Sequence, residues 1–388
     1  MRNSNVLSQN FMAILESLTL PEEIKKWVPF KDYAKNYVAK FIQSSQKGLP
    51  SWDPWIFKDD DVYRLFYLAG MPGVDSMCWW ENSRIYGAIS HDLKNWQDLG
   101  VILEPDHSNS WESGRLFTGY TYKENGIYYL FYSGAGTDWP NLMHEGIGLA
   151  KSTDGLHWER YSNKPIVQPE ISNPWYGLSV QYLDGDGEYV PKYSQHLQCR
   201  DPYVVKDEKT NQYYMFFTTA FKGSEEIDLQ TFKPNYLGCV GIAVADRITG
   251  PYKLLPPAAT PEVGEEHMWA YYHKERPQVI YKNGKYNLFF SCFKGYLNPK
   301  WVEKVDGNVT DSSIHWYVAD EIAGPYKPVS SHPIIPSSMR TGLYASHFLP
   351  MSDNLDELLL YGWYFRFSTL EVSPKFRVKW EGDNIQIA

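Results

Sequence analysis

A repeated hairpin unit is the feature of this sequence that most constrains its fold. Each copy has a short polar opening, a strand, a turn that contains Gly, Asp or Asn, and a second strand rich in aromatic residues. The five copies read WDPWIFKDDDVYRLFYLAG from Trp52, FTGYTYKENGIYYLFYSGAG from Phe117, RDPYVVKDEKTNQYYMFFTTAF from Arg200, ERPQVIYKNGKYNLFFSCF from Glu275 and SHFLPMSDNLDELLLYGWY from Ser346. Self-similarity at such a spacing indicates a repeat architecture.

Further strands follow the hairpins. After the first four copies, the chain reads IYGAISHDLKNWQDLG, GIGLAKSTDGLHWERY, VGIAVADRITGPYKLL and IHWYVADEIAGPYKPV, and each segment ends in turn residues and an outer strand. Five units of about four strands each predict an all-β fold, a five-bladed β-propeller. The alternative is a β-sandwich with accidental internal similarity, but sandwiches do not repeat at this period.

The N-terminal region differs in pattern from the repeats. Residues 21–43 carry apolar side chains at helical spacing, which predicts an amphipathic helix. We therefore predict two parts, a helical extension at 1–49 packed as a short cap on the propeller, and a five-bladed catalytic domain at 50–388. No linker rich in Pro, Gly or Ser divides the chain.

Composition excludes several classes of protein. The net charge of −9 disfavours a general role in binding nucleic acid or anionic membranes. No apolar stretch is long enough to span a bilayer, which takes about 18 residues or more. The N-terminus lacks a basic start, a clean apolar core and a small-residue cleavage site, so we expect a cytoplasmic protein.

Neither a metal nor a cofactor is expected. The four cysteines are far apart and form no C-x-x-C motif, so buried free thiols are favoured over a disulfide framework or a metal cluster. His107, His196 and His347 are scattered, which favours ordinary hydrogen-bonded histidines over a metal site. The sequence leaves the oligomeric state open.

The openings of the repeat units carry the candidate chemistry. They hold Asp53, Thr118, Asp201, Glu275 and Ser346, which we take as equivalent points in successive blades. The innermost strand of each blade lines the axis of a propeller, so these side chains should share one pocket. Three carboxyl groups in one pocket repel each other unless a cation, or a developing cation, lies between them.

Glycosidic bond cleavage fits this arrangement. Its transition state resembles an oxocarbenium ion, and it needs one carboxylic acid to protonate the leaving oxygen and one carboxylate as nucleophile or base. Neighbouring like charges keep one of the acids protonated, whereas an adjacent Arg keeps its partner ionised. High aromatic content, 16%, also suits a cleft that binds sugars.

Several motifs together resemble the levansucrase–inulosucrase family and its invertase relatives. SWDPW, CRDPY and KERPQ occur in that family's order, and LFTGY and ASHFLP resemble two of its further segments. The resemblance covers residues 50–365 and implies a five-bladed propeller enzyme that acts on β-fructofuranosides with retention of configuration. The Glu-Arg-Pro form resembles levansucrases, because invertases usually have Glu-Cys.

The resemblance also implies a role for individual residues. Asp53 would be the nucleophile, Glu275 the general acid/base, and Asp201 the stabiliser of the transition state. Contacts with the fructosyl unit are implied for Trp52, Thr118 and Arg200. Trp52 could instead be a plain strand aromatic, and the Thr118 hydroxyl could instead satisfy a local turn.

The leaving-group side departs from the family pattern. His273 stands where the family has Glu or Gln, Phe293 stands where levansucrases place Arg or His, and Tyr344 is displaced by one residue because Ala345 occupies the family's Tyr position. Replacing an Arg by Phe forfeits a charge-assisted hydrogen bond of about 1.5–3 kcal/mol. We therefore count these three residues and Arg276 as candidate substrate contacts and expect a leaving-group pocket unlike that for sucrose.

Three functions remain open from the sequence. The first is a retaining β-fructofuranosidase or fructosyltransferase acting on a small saccharide or glycoside. The second is a propeller glycosidase for another furanoside, such as an arabinofuranoside or galactofuranoside. The third is a propeller that binds carbohydrate without turnover, which the three acids disfavour.

Overall fold

The computed structural model describes most of the chain after residue 50. The described residues are 51–70, 83–109, 111–136, 142–181, 194–222, 227–228, 233–234, 238–260, 274–293, 312–329, 334, 344–366, 369–372, 376–381 and 384–387. Within these ranges the chain forms strands and no helix. The predicted helix at 21–43, the extension 1–49 and the boundary at residue 50 lie outside the described residues.

The first two sheets are built from consecutive segments of the chain. Blade 1 has the strand order β1 (Ser51–Asp59), β2 (Val62–Ala69), β3 (Arg84–Ser90) and β4 (Gln97–Leu103). Blade 2 contains β5 (Arg115–Glu124), β6 (Ile127–Ala135) and β7 (Leu142–Ser152), with β8 (Glu159–Arg160) at its edge. It is extended by β9 (Ser179–Gln181) and β10 (Ser194–Leu197), and β10 pairs in parallel with β7.

The other three sheets follow the same plan. Blade 3 contains β11 (Arg200–Asp207), β12 (Gln212–Ala220), β15 (Gly238–Ala245) and β16 (Lys253–Ala259), and a hairpin of β13 (Ile227–Asp228) and β14 (Lys233–Pro234) lies within its connection. Blade 4 contains β17 (Glu275–Lys282), β18 (Lys285–Phe293), β19 (Ser312–Ala319) and β20 (Lys327–Pro328). Blade 5 contains β21 (Tyr344–Pro350), β22 (Glu357–Arg366), β23 (Thr369–Val372), β24 (Phe376–Glu381) and β25 (Asn384–Ile387).

The five sheets close into a ring. Each first strand contacts the first strand of the next blade, and β21 of the last blade contacts β1 of the first. The fold is therefore an all-β, five-bladed β-propeller, as the repeats predicted. Closure places the first strands of the blades around a common axis. The candidate catalytic residues lie at or near the starts of these first strands.

Turn chemistry explains two of the hairpins. Asn125 and Gly126 have φ values of 52° and 76°, and Asn283 and Gly284 have φ values of 53° and 77°. Two consecutive left-handed residues make the tight turn whose twist matches a hairpin, and Asn-Gly is its preferred sequence. The Asn-Gly pairs predicted at the turns of the second and fourth repeats thus have a direct structural cause.

Apolar side chains fill the spaces between neighbouring blades. Phe216 of β12 and Phe290 of β18 belong to one buried cluster between blades 3 and 4. Phe289 of β18 and Trp380 of β24 pack edge to face between blades 4 and 5, with ring centroids 5.9 Å apart. Both faces of blade 4 are therefore covered, and aromatic residues of its repeat join it to the neighbouring blades.

The cysteines in the described part of the chain are free thiols. Cys199, Cys239 and Cys292 are buried free thiols, as predicted, and Cys78 lies outside the described residues. No group of three or more His, Cys, Asp or Glu side chains in the described part is placed to hold a metal ion. No helix long and apolar enough to cross a membrane occurs in that part.

Candidate active site

A β-bulge interrupts the first strand of every blade near its start. The pairing with the second strand skips a step between Trp52 and Trp55, Phe117 and Gly119, Arg200 and Tyr203, Glu275 and Gln278, and Tyr344 and His347. Four of these bulges contain a residue with left-handed backbone, namely Asp53, Asp201, Arg276 and Ala345, with φ values of 46–57°. Such a conformation costs of order 1–3 kcal/mol at a non-glycine residue and clusters at functional sites.

The register of the bulges corrects the predicted equivalence of the three acids. Asp53 and Asp201 are the left-handed residues of their bulges, but in β17 that position belongs to Arg276. Glu275 instead pairs with Ser291, just as Arg200 pairs with Thr218 one residue before Asp201. The sequence carries a signal for this offset, because a Pro follows Asp53, Asp201 and Arg276 alike, and aligning these prolines places Glu275 one residue earlier.

Asp53 is held by a residue of the next blade. The Thr118 hydroxyl of β5 donates a 2.5 Å hydrogen bond to Asp53 Oδ2, and Thr118 itself is buried. The Thr118 carbonyl in turn accepts a hydrogen bond from the Ser133 hydroxyl. The hydroxyl of Thr118 therefore links two blades rather than closing a local turn, and it fixes the Oδ2 oxygen of Asp53.

Asp201 is buried and surrounded by donors. Its Oδ2 atom accepts hydrogen bonds from the Thr218 hydroxyl at 2.8 Å and from the backbone amide of Arg276 at 3.2 Å. Its own backbone amide donates to the Ser133 hydroxyl at 3.0 Å. Asp201 is thus fixed by hydrogen bonds to blade 2, blade 3 and blade 4. Its partner in blade 4 is Arg276, the residue that follows Glu275 in β17.

Glu275 contacts the guanidinium group of Arg200. Arg200 Nη2 donates to Glu275 Oε1 at 2.9 Å, and 17% of the Glu275 side chain is exposed. Burial, together with the negative charges of Asp201 and Asp53, raises the pKa of Glu275 to about 7 against the opposing effect of Arg200. A carboxyl group of this kind holds its proton near neutral pH, as a general acid must.

A fourth carboxylate, Glu145 of β7, was not predicted from the sequence. It is 1% exposed and contacts Arg200 Nη1 at 3.2 and 3.3 Å through its two oxygens. The backbone amide of Cys199 donates to its Oε2 atom at 2.9 Å, and His196 Nε2 lies 2.8 Å from its Oε1 atom. The only signal in the sequence is a charged residue inside the apolar segment LMHEGIGLA, away from the unit openings.

Arg276 supports the centre of the ring. Its side chain is 2% exposed, and Nη2 donates to the carbonyl oxygen of Pro54 at 2.7 Å and lies 3.3 Å from His347 Nδ1. Burial, reinforced by the charge of Arg276, holds the pKa of His347 well below its ordinary value, so that imidazole is neutral. Arg276 therefore ties blade 4 to the residue that follows Asp53, and its predicted contact with substrate stays a prediction.

The remaining predicted substrate contacts are placed differently. Trp52 and Tyr344 are both buried and share an apolar cluster with Leu116. Trp52 therefore packs as an aromatic residue of its strand, which is the alternative that the sequence left open. Contact of the Trp52 ring or the Tyr344 ring with a sugar stays a prediction. The structure describes only the backbone of Phe293, at the end of β18, and His273 lies outside the described residues.

The comparison with known proteins identifies the family. The family model described as glycosyl hydrolases family 43 matches residues 49–347. The chain belongs to this family. The match spans all five first strands except the end of β21, and so it includes every residue of the site described above.

Curated relatives of this family 43 chain include fructosyl enzymes. A levansucrase of Streptococcus mutans is 23% identical over 414 residues, which cover 91% of this chain and 50% of the relative. An inulosucrase of Lactobacillus johnsonii is 22% identical over 427 residues, which cover 92% of this chain and 50% of the relative. The chain thus spans about half the length of these relatives, and they confirm the resemblance read from its motifs.

Solved structures show the same fold. Levansucrase of Bacillus subtilis superposes with a TM-score of 0.63 at 17% identity, covering 89% of this chain and 87% of that one. An inulosucrase from Halalkalicoccus jeotgali bound to kestose gives 0.59 at 18% identity, covering 87% of both chains. A thermostable family-43 glycoside hydrolase gives 0.57 at 18% identity, covering 87% of this chain and 93% of that one. These solved structures show that they share the propeller fold of this chain.

Proposed function

We propose that this protein cleaves or transfers the glycosyl group of a β-fructofuranoside by double displacement with retention of configuration. The observation that carries the proposal is the raised pKa of Glu275 beside Arg200, within the electrostatic field of Asp53 and Asp201. One acid that keeps its proton near neutral pH, next to two other carboxyl groups, is the combination that this chemistry requires.

Each acid has a distinct role in the proposed reaction. Glu275 gives its proton to the glycosidic oxygen as the bond to the anomeric carbon breaks, and a carboxylate oxygen of Asp53 forms a bond to that carbon. Glu275, now ionised, takes a proton from water or from an acceptor hydroxyl, which then displaces Asp53. Asp201, held by the Thr218 hydroxyl and the Arg276 amide, stabilises the positive charge that develops on the sugar.

The leaving-group pocket is proposed to differ from that of sucrose-cleaving relatives. The proposal comes from three departures from the family pattern: His273 replaces a carboxyl or amide, Phe293 replaces Arg or His, and Ala345 replaces Tyr, with Tyr344 displaced by one residue. A donor or acceptor with a non-glucosyl group should then be preferred over sucrose. A second candidate is cleavage of another furanoside, which is favoured by the match to family 43 rather than to a family named for fructosyl transfer.

A product screen separates these possibilities. The protein is incubated with sucrose, kestose, other fructosides, arabinofuranosides and galactofuranosides, and products are followed by NMR so that the first-formed anomer is seen. Turnover of a fructoside with retention supports the proposal, and exclusive turnover of another furanoside replaces it by the second candidate. Efficient turnover of sucrose with no better donor contradicts the proposed pocket, and sugar binding without any product contradicts catalysis.

A further inference from the structure

Glu145 is a buried carboxylate that the proposed reaction does not use. Both of its oxygens are occupied, by Arg200 Nη1, the Cys199 amide and the neighbouring His196 ring. Burial opposes ionisation, but the charge of Arg200 and the contacts with His196 and Cys199 lower the pKa of Glu145 to about 2. Burial lowers the pKa of His196, so the imidazole is neutral and leaves Arg200 as the cation paired with Glu145.

Arg200 lies between two carboxyl groups. Its Nη1 atom faces Glu145 in blade 2, and its Nη2 atom faces Glu275 in blade 4. Its Nε atom is 4.0 Å from Asp201 Oδ2, beyond hydrogen-bonding distance. A guanidinium group can form a bidentate pair with one carboxylate, but here its two terminal nitrogens point to different residues.

We propose that Glu145 is a positioning residue that holds Arg200 in a single-contact geometry with Glu275 and so keeps Glu275 able to act as an acid. This role rests on the proposed function of Glu275. Without the charge of Glu145, Arg200 would lose one anionic partner, and its guanidinium could turn to pair with both oxygens of Glu275. Either change stabilises the ionised form of Glu275 and removes the proton needed for the leaving group.

The other charged groups around Glu275 do not replace Glu145. Asp53 and Asp201 are negative and disfavour ionisation of Glu275. The guanidinium of Arg276 is directed to Pro54 and His347, and the ammonium of Lys274 lies over the Phe290 ring, 5.2 Å from its centroid. Around His196, Arg115 adds a positive charge that further lowers the pKa of that ring.

The test compares Glu145→Gln with a matched control. Gln keeps the shape of Glu145 but removes its charge. Glu112→Gln is the control because Glu112 is also fully buried in blade 2 and paired with an Arg, Arg160 at 2.9 Å, without contact to the site. We expect the alkaline limb of kcat/KM to move to lower pH by about one unit or more in Glu145→Gln, and to stay in place in Glu112→Gln.

Two further measurements keep the inference falsifiable. Glu145→Asp retains the charge, so its alkaline limb should stay near that of the parent even if kcat falls. NMR titration of 13C-labelled glutamate, assigned with Glu275→Gln, should show the same downward displacement of the Glu275 pKa in Glu145→Gln. The inference is overturned if the alkaline limb of kcat/KM and the Glu275 titration of Glu145→Gln overlay those of the parent. It is also overturned if they move equally in Glu145→Asp or Glu112→Gln.

These readouts separate this inference from the proposed function. If no furanoside is turned over but the Glu275 titration moves, the coupling between Glu145 and Glu275 stands and the proposed function falls. If turnover is found and neither the limb nor the titration moves, the function stands and the role of Glu145 falls.

Discussion

At the scale of single residues, Glu275 carries the most specific expectation. Replacing Glu275 by Gln removes the proton donor but keeps the size of the side chain. Turnover of a substrate with a poor leaving group should therefore fall by about 10²–10⁴-fold, the usual contribution of general acid catalysis. A substrate with an activated aryl leaving group needs no proton at that step, so it should lose much less.

The measurement is kcat/KM across leaving groups of increasing acidity. Glu124→Gln is a suitable control, because Glu124 lies at the far end of β5 and pairs with Lys206. Equal losses for all leaving groups in Glu275→Gln, or a similar loss in Glu124→Gln, would count against the acid role.

The pKa of Glu275 also sets the expected pH dependence. Its folded value of about 7 means that the acid form decreases as pH rises through 7. For a poor leaving group, kcat/KM should then fall about tenfold for each pH unit above that point. A pH–rate profile that stays flat to pH 9 would show that no group with this pKa supplies the proton.

At the scale of strands, the bulges decide where the functional groups point. Left-handed Asp53 and Asp201 are tolerated because Asp is among the residues that adopt this conformation most readily. The chain lacks a glycine at these positions, and the local signal in the sequence is instead the Pro that follows Asp53, Asp201 and Arg276. The three acids stay candidates, and the predicted equivalence of Glu275 was wrong by one residue because it aligned the acids rather than these prolines.

Gly119, which follows Thr118 in β5, tests the bulge of blade 2. A Cβ atom there would lie 2.4 Å from the carbonyl oxygen of Phe131 and 3.0 Å from the Trp55 ring. Because the Phe131 oxygen belongs to the backbone of β6, the strands must separate. Gly119→Ala should lower the free energy of unfolding by about 1–3 kcal/mol and reduce kcat through the neighbouring Thr118–Asp53 contact.

The control for this substitution is Gly126→Ala in the hairpin at the other end of β5. A Cβ atom at Gly126 would meet nothing within 4 Å, but its φ of 76° makes Ala strained by about 1–2 kcal/mol. Urea unfolding should therefore show a loss for both variants, whereas kcat should fall only for Gly119→Ala. An unchanged kcat in Gly119→Ala would mean that the bulge does not position Asp53.

At the scale of the whole molecule, the sequence predicted the ring but not the contacts across it. Five hairpins of similar pattern were sufficient for the propeller, because each blade is one consecutive segment. Glu145 could not be predicted, because it comes from the third strand of blade 2 and reaches Arg200 only through packing against blade 3. The contact of the Arg276 side chain with the carbonyl oxygen of Pro54 in blade 1 was likewise not predicted, because it joins blades that are far apart in the sequence.

The pKa values of the site also predict how the stability of the fold depends on pH. The folded pKa of Glu275, about 7, lies above its ordinary value of 4.5, so the folded chain binds this proton more tightly than the unfolded chain. The resulting stabilisation is complete below about pH 4.5 and is lost as pH rises through 7. Glu145 has the opposite sign, because its folded pKa of about 2 makes its stabilisation disappear as pH falls from 4.5.

Glu275→Gln should therefore gain stability relative to the parent as pH rises. The parent carries an ionised, buried Glu275 at pH 8 and a protonated one at pH 5, a difference of up to about 3 kcal/mol from a pKa displaced from 4.5 to about 7. The difference in Tm between Glu275→Gln and the parent should be larger at pH 8 than at pH 5. Glu145→Gln should show the reverse, with its deficit largest near pH 7 and smaller near pH 3. If the plots of Tm against pH for Glu275→Gln and the parent are parallel, Glu275 ionises without a loss of stability and its pKa is ordinary. A carboxyl group with an ordinary pKa is ionised at neutral pH, so it could not protonate a leaving group there.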